Sequence, residues 1–288
     1  MPSAPALDVT RPRDPKEFED QAGAFLAARE AENNLVLGLV ANLRRGRAYG
    51  PTPPFFAIVR DRDAVVGAAM RTPPFNLILA SGTRDAALPL ILGAIAKETT
   101  DISGIIGPKA LAKLAVDHWS ERTGQRGRLQ TNERIYSLVR VIAPRPADGR
   151  MRPGRPTDLD LLAGWFYAFA EEAQPHLARS HEAARRNAEG WIARGGLRVW
   201  EDAEVVAMAG ASGPTPNGIR VGAVYTPPEK RRRGYASALV AALSQEQLEA
   251  GRKFCFLYTD LANPTSNKIY REIGYEPVLD VDEYAFSM

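Results

Sequence analysis

The chain has 288 residues, of which 45% are hydrophobic and 25% charged, with a net charge of +3, one cysteine (Cys255) and three histidines (His118, His176 and His181). These values exclude a fibrous or disordered chain and an intrachain disulfide; the scattered histidines offer no metal-ligand spacing, and so mild a charge makes no general case for nucleic acid. No run approaches the roughly 18 apolar residues of a membrane span, and the start Met1-Pro2-Ser3-Ala4-Pro5 lacks the basic-then-apolar order of a signal peptide, so a cytoplasmic protein without a membrane partner is expected.

At about 150 residues per domain the length predicts two domains. The apolar spacing over 14–43 (Phe18, Phe25, Leu26, Leu35, Leu39, Leu43) predicts two helices broken near Asn33-Asn34. Strand-like runs follow at 55–60, 65–70 and 75–80, separated by Asp61-Arg62-Asp63 and Thr72-Pro73-Pro74. Beyond them the pattern predicts a helix over 85–98, a short strand at 104–106, a helix over 109–122 and a strand over 135–142. Residues 143–150, with two prolines and a glycine, read as a linker, which places the domains at 1–145 and 146–288.

The second half repeats this element order. Helices are expected over 159–173 and 181–193, strands over 197–200, 205–211 and 219–225 with Asn217-Gly218 as a turn, then a helix over 234–250. Gly251 suits the residue after that helix; a buried strand at 254–259, a helix over 264–273 ended by Gly274 and an extended segment over 275–286 complete the chain. The fold class expected is α/β (α+β).

The stretch 221–236 runs from a strand through the basic turn Lys230-Arg231-Arg232-Arg233 into a helix. Pro227 and Pro228 offer no N–H and end the strand, which lets its neighbour splay away and leaves backbone at Val224, Tyr225 and Thr226 unpaired for a ligand with amide groups. Gly234 and Ala236 keep the helix start clear. The free N–H groups of Gly234, Tyr235, Ala236 and Ser237, the positive end of the helix dipole and Arg231, Arg232 and Arg233 together suit a diphosphate.

Arg231-x-x-Gly234-x-Ala236 resembles the Q/R-x-x-G-x-G/A acyl-CoA turn of the GNAT N-acetyltransferases, and Asn263-x-x-Ser266-x-x-x-Tyr270-x-x-x-Gly274-Tyr275 resembles their second signature. The resemblance covers roughly residues 150–288, and the first half resembles, more loosely, the degenerate first domain of tandem GNAT proteins. It implies two GNAT-like domains, each a mixed, mostly antiparallel twisted sheet flanked by helices. It also implies acetyl-CoA as acyl donor, no metal, and direct transfer to a small-molecule or peptide amine in a ternary complex, with Asn263 near the donor and Tyr270 as the acid that protonates the departing thiolate. A phenol suits that role because its ordinary pKa of about 10 lies near that of a thiol.

For the base that deprotonates the amine, Glu172 at the end of the domain's first long helix is the first candidate and Glu229 the second. Asn263 before Pro264 also reads as a helix cap, and Tyr270 also reads as core. Cys255, between Phe254 and Phe256, reads as a buried, unreactive thiol. The first half offers Ala80-Ser81-Gly82-Thr83-Arg84-Asp85 where the second has its basic turn, so it is expected to act as scaffold and acceptor-side wall rather than to hold acyl-CoA. Two other readings stand beside the enzyme: a catalytically silent acyl-CoA-binding regulator, and a nucleic-acid module using Arg231 to Arg233, which lacks interleaved aromatics. Oligomeric state does not follow from these residues.

Overall fold

The computed structural model describes residues 7–173 and 180–287. In chain order these form β1 (Leu7–Thr10), α1 (Pro15–Ala27), α2 (Asn34–Arg44), β2 (Phe55–Asp61), β3 (Ala64–Arg71), β4 (Leu77–Leu79), α3 (Leu88–Ala96), β5 (Gly104–Pro108), α4 (Lys109–Thr123) and β6 (Arg126–Leu138). They continue with β7 (Arg150–Pro153), α5 (Leu159–Ala173), α6 (His181–Ala193), β8 (Leu197–Asp202), β9 (Glu204–Ser212), β10 (Gly218–Tyr225), α7 (Tyr235–Glu249), β11 (Phe254–Asp260), α8 (Pro264–Glu272) and β12 (Glu276–Ser287). Single 3-10 turns at Asp85–Ala87, Pro156–Asp158 and Pro228–Lys230 precede α3, α5 and the start of α7. Among the described residues no helix is long and apolar enough to cross a membrane.

The chain divides into two compact units, but not by a cut after residue 145. Unit 1 is Met1–Ile135 with Thr259–Asn263 and Pro277–Met288; unit 2 is Tyr136–Tyr258 with Pro264–Glu276. The departure has a simple cause. β12 pairs antiparallel with β5, from Val281 opposite Pro108 to Ala285 opposite Gly104, so the last strand serves the first unit's sheet. Strand pairing over such a separation in sequence leaves no local signature.

In unit 1, β1, β2, β3 and β4 are successive antiparallel neighbours, and β4 runs parallel to β5. Both faces of β2 are covered. Phe55, Ala57 and Val59 belong to a core with Ile91 of α3 and Trp119 of α4, while Phe56 and Ile58 share another with Phe18 of α1 and Val40 of α2. A strand buried on both faces must be apolar at every position, which is why 55–59 reads as a continuous run rather than an alternation. The α1 start follows sequence rules: the Asp14 carboxylate accepts the Glu17 N–H at 2.8 Å and Pro15 begins the helix.

In unit 2, β7, β8, β9 and β10 are antiparallel neighbours and β10 is parallel to β11. Val199 and Met208 face a core with Leu162 and Phe166 of α5; Ala207, Val221 and Leu257 face another with Leu239 of α7 and Tyr270 of α8. The expected fold class is borne out in both units.

Element edges differ from the sequence reading where strands are short or charged. β1 and β7, of four residues each, have too few positions to show a period. β4 shrinks to Leu77–Leu79, with Phe75 56% exposed. β6 begins at Arg126, earlier than the apolar run, and ends at Leu138; beyond it the Ile142 N–H donates to the Ile273 carbonyl at 3.0 Å.

Candidate functional site at the turn between β10 and α7

The site begins with a break in β10. Its ladder to β9 shifts register between Gly222 and Tyr225, and Ala223 takes a left-handed φ of +50°. A bulge of this kind inserts an unpaired residue and bends the strand. The parallel ladder to β11 covers Gly218, Ile219 and Arg220 alone, against Phe254, Cys255 and Phe256. Among the described residues β10 therefore has no register partner on β11 from Val221 onward, while on its other side Tyr225 stays opposite Met208 of β9.

Side chains alternate around this end. Val224 packs on the core that holds Tyr270, whereas Tyr225 is buried in the α5 layer, its ring 6.0 Å from that of Trp165. Burial first, then the Glu172 carboxylate, raises the Tyr225 pKa. The Thr226 Oγ1 is buried and has no hydrogen-bond partner among the described residues, an arrangement that costs free energy until something bonds to it.

After Pro227 the chain makes a 3-10 turn, then left-handed residues at Arg232 (φ +65°) and Gly234 (φ +83°). α7 starts at Tyr235 with Gly234 as cap, no side chain capping it and no acid in its first turn. α1 and α6 differ, since Asp14 and Ser180 cap them and Glu17 and Glu182 lie in their first turns. The open N–H groups at Gly234, Tyr235, Ala236 and Ser237 thus keep the anion-binding potential of a helix start. Ala236 and Ser237 are half-buried. Tyr235, expected to line the ligand, is 5% exposed and its hydroxyl donates to Asp202, a bond that raises its pKa. Only its backbone N–H remains for a ligand.

The four cations of the turn are not equivalent. Lys230 pairs with Glu204. Arg231 donates through Nη2 to both carboxylate oxygens of Glu172, at 2.7 and 2.8 Å, and through Nε to the Thr226 carbonyl at 2.8 Å, with its guanidinium 5.8 Å above the Tyr225 ring centre. Arg233 lies against the Tyr235 hydroxyl. Arg232 has no partner among the described residues. The Glu172–Arg231 pair joins residues 59 apart in sequence and had no sequence signal.

Tyr270 is 8% exposed in the α7–α8 core, edge-on to Tyr275 at 6.0 Å. Burial pushes its pKa up to about 12, above the ordinary value of 10 on which the sequence reading rested. Among the described residues its hydroxyl has no hydrogen-bond partner. Asn263 is exposed just before α8, its N–H bonded to the Asp260 carbonyl at 3.0 Å, and groups with unit 1. Glu229 is exposed in the Pro228–Lys230 turn. Cys255 is fully buried, and burial raises its thiol pKa to about 12, which keeps it a thiol. His181 opens α6 and stacks on Tyr167 at 3.9 Å; His176 lies outside the described residues.

A GNAT-related family model, described as FR47-like protein, matches residues 201–285, which contain both signatures. No curated protein matches. Among solved structures the chain is similar to a GCN5-related N-acetyltransferase from Sphaerobacter thermophilus, at 14% identity and a TM-score of 0.61 over 96% of this chain and 94% of that one. It is similar to a GNAT-family acetyltransferase from Colwellia psychrerythraea, at 11% identity and a TM-score of 0.56 over 97% and 100% of the two chains. A tandem GNAT protein from the clavulanic acid biosynthesis pathway aligns at 13% identity and a TM-score of 0.56 over 98% of both chains. These likenesses bear out the fold that the two signatures led us to expect.

Proposed function

We propose that unit 2 binds acetyl-CoA and transfers its acetyl group directly to an amine of a small molecule or peptide in a ternary complex. One observation carries the reading: β10 bulges and parts from β11 just where it leads into an uncapped, acid-free helix start beside three arginines. That is a place for an extended, amide-bearing chain ending in a diphosphate. In this reading the open backbone at Val224 to Thr226 and the Thr226 hydroxyl receive the amide-bearing arm. The N–H groups at Gly234 to Ser237, with Arg231, Arg232 and Arg233, receive the phosphates.

The donor supplies a thioester whose acyl carbon is attacked by the neutral acceptor nitrogen, with the C–S bond breaking as the C–N bond forms. The amine must lose a proton, for which Glu172 is the first carboxylate and Glu229 the second. Tyr270 faces the leaving sulfur as a proton holder. At about 12 its pKa keeps it protonated at neutral pH, and full transfer to a free thiolate of ordinary pKa, about 8.5, would be uphill by roughly three to four units. Its role is therefore a hydrogen bond to sulfur while negative charge develops, with solvent completing the protonation.

Unit 1 is proposed as the degenerate partner that does not take the donor. Calorimetry of CoA against the full chain, with thiol release from acetyl-CoA across a panel of amines, tests the reading. Binding of one CoA per chain and amine-dependent release are expected; a folded chain that binds no CoA overturns it.

A further inference from the structure

One arginine of the proposed phosphate site, Arg231, is already engaged within the protein. Arg231 spends Nη2 on both Glu172 oxygens and Nε on the Thr226 carbonyl, so two of its three nitrogens are committed within the protein. Glu172 comes from the last turn of α5 and Thr226 directly follows β10; the contact ties the segment after the strand, the basic turn and α5 together. A carboxylate on the guanidinium Nη2 holds a donor that an oxygen of a phosphate, also an anionic acceptor, can take in its place. The pair is also half open to water, with side-chain exposures of 42% and 50%. An exposed ion pair shifts an equilibrium by up to about fivefold, so it can be exchanged for a multiply charged ligand without large cost.

We infer that Glu172 is an internal competitor for the anion site: it acts through Arg231 as a positioning residue that lowers donor affinity until a phosphate takes its place on the guanidinium. This rests on the proposed donor reading and adds to it. It differs in sign from a plain structural salt bridge, whose loss would leave binding unchanged or weaken it. It also makes the Glu172 carboxylate available only after Arg231 has turned to the donor.

The test is a double-mutant cycle by calorimetry on the full chain, with CoA as probe and ADP as a second probe lacking the amide-bearing arm. Glu172→Gln keeps the size and one hydrogen-bond acceptor, and is expected to tighten CoA and ADP by about three- to fivefold. Arg231→Gln is expected to weaken both. In the Arg231→Gln background the Glu172→Gln gain should vanish, because the carboxylate then has no guanidinium to withhold. Unchanged or weaker binding by Glu172→Gln overturns the inference while leaving the donor reading intact. A gain of equal size in both backgrounds also overturns it, since the carboxylate would then act by long-range repulsion alone. If the unaltered chain binds neither probe, the donor reading and this inference fall together. Should Glu172→Gln not fold, Glu172→Ala in the same cycle carries the same expectations.

Discussion

The two units present the same passage, from a strand through a turn into a helix and a parallel strand, with opposite outcomes. In unit 2 the strand end is bulged and unpaired and the helix start lies open. In unit 1 the corresponding turn, 80–87, is filled by the unit's own side chains. The Asn33 carboxamide accepts the Ser81 N–H at 2.7 Å and donates to the Ser81 carbonyl at 3.3 Å, the Ser81 hydroxyl bonds Glu32, and Arg29 lies over Gly82. The Thr83 hydroxyl is bonded to both the N–H and the carbonyl of Ala68, and Asp85 opens the 3-10 turn before α3. β4 passes through its pairing with β3 without a bulge. An anion would meet spent backbone donors at the unit 1 turn, and an uncapped helix start beside an arginine held by Glu172 at the unit 2 turn. Sharing a fold therefore does not share a site; the occupancy of the turn decides.

The sharpest difference is a hydroxyl. Tyr270 is the seventh residue of α8, and the seventh residue of α4 is the fully buried Ala115. Tyr270→Phe keeps the ring and its packing but removes the proposed hydrogen bond to the developing charge on sulfur, and is expected to lower turnover by about 10²-fold while CoA affinity holds. Stopped turnover per folded molecule, measured by thiol release, checks this; undiminished turnover removes Tyr270 from the chemistry. The same substitution has a pH signature. Because the folded pKa of about 12 lies above the ordinary 10, the hydroxyl's contribution to stability is full below about pH 10 and is lost as pH rises from there through 12. Melting temperatures of Tyr270→Phe should therefore fall less steeply over that window than those of the parent.

These features were unequally legible in the sequence. Arg231, Gly234 and Ala236, with Tyr270, Gly274 and Tyr275 thirty-odd residues on, are local patterns, and the proline pair 227–228 announces the strand end; backbone chemistry writes such signals directly. What stayed hidden depends on tertiary neighbours. The burial that raises the Tyr270 pKa, the turn of Tyr235 toward Asp202, the grip of Glu172 on Arg231 and the use of β12 by unit 1 all join distant residues. In unit 1 the missing basic pattern was visible at 80–87, but its filling by Asn33 was not, since Asn33 reads only as a helix break.

Removing that filling is the next test in size. Asn33 is 2% exposed, and its amide satisfies both the N–H and the carbonyl of Ser81. Asn33→Ala leaves those groups without their partners, at a cost of about 2 kcal/mol, seen as a lower melting temperature. CoA affinity should not change, and no second equivalent should bind. A second binding event in Asn33→Ala would mean that unit 1 is blocked rather than unfit, and would break the comparison as drawn.

The smallest expected effect sets one glycine against another. Gly82 and Gly234 both hold left-handed backbone, at φ +90° and +83°, so alanine at either strains the turn by about 1 kcal/mol. At Gly82 the added Cβ would meet Arg29 Nη1 at 2.7 Å, the far end of a side chain that can move aside; at Gly234 its nearest neighbour is the Ala147 Cβ at 3.7 Å. The two variants should therefore melt within a few degrees of each other. Their difference lies in binding, since in the proposed donor site the Gly234 methyl would stand where backbone N–H groups meet a phosphate and the Gly82 methyl would not. Gly234→Ala should weaken CoA several-fold, a valine there more, and Gly82→Ala not at all. Equal CoA affinity in two folded variants would mean that no phosphate lies against the α7 turn, and the distinction between an open and a filled turn would lose its functional meaning.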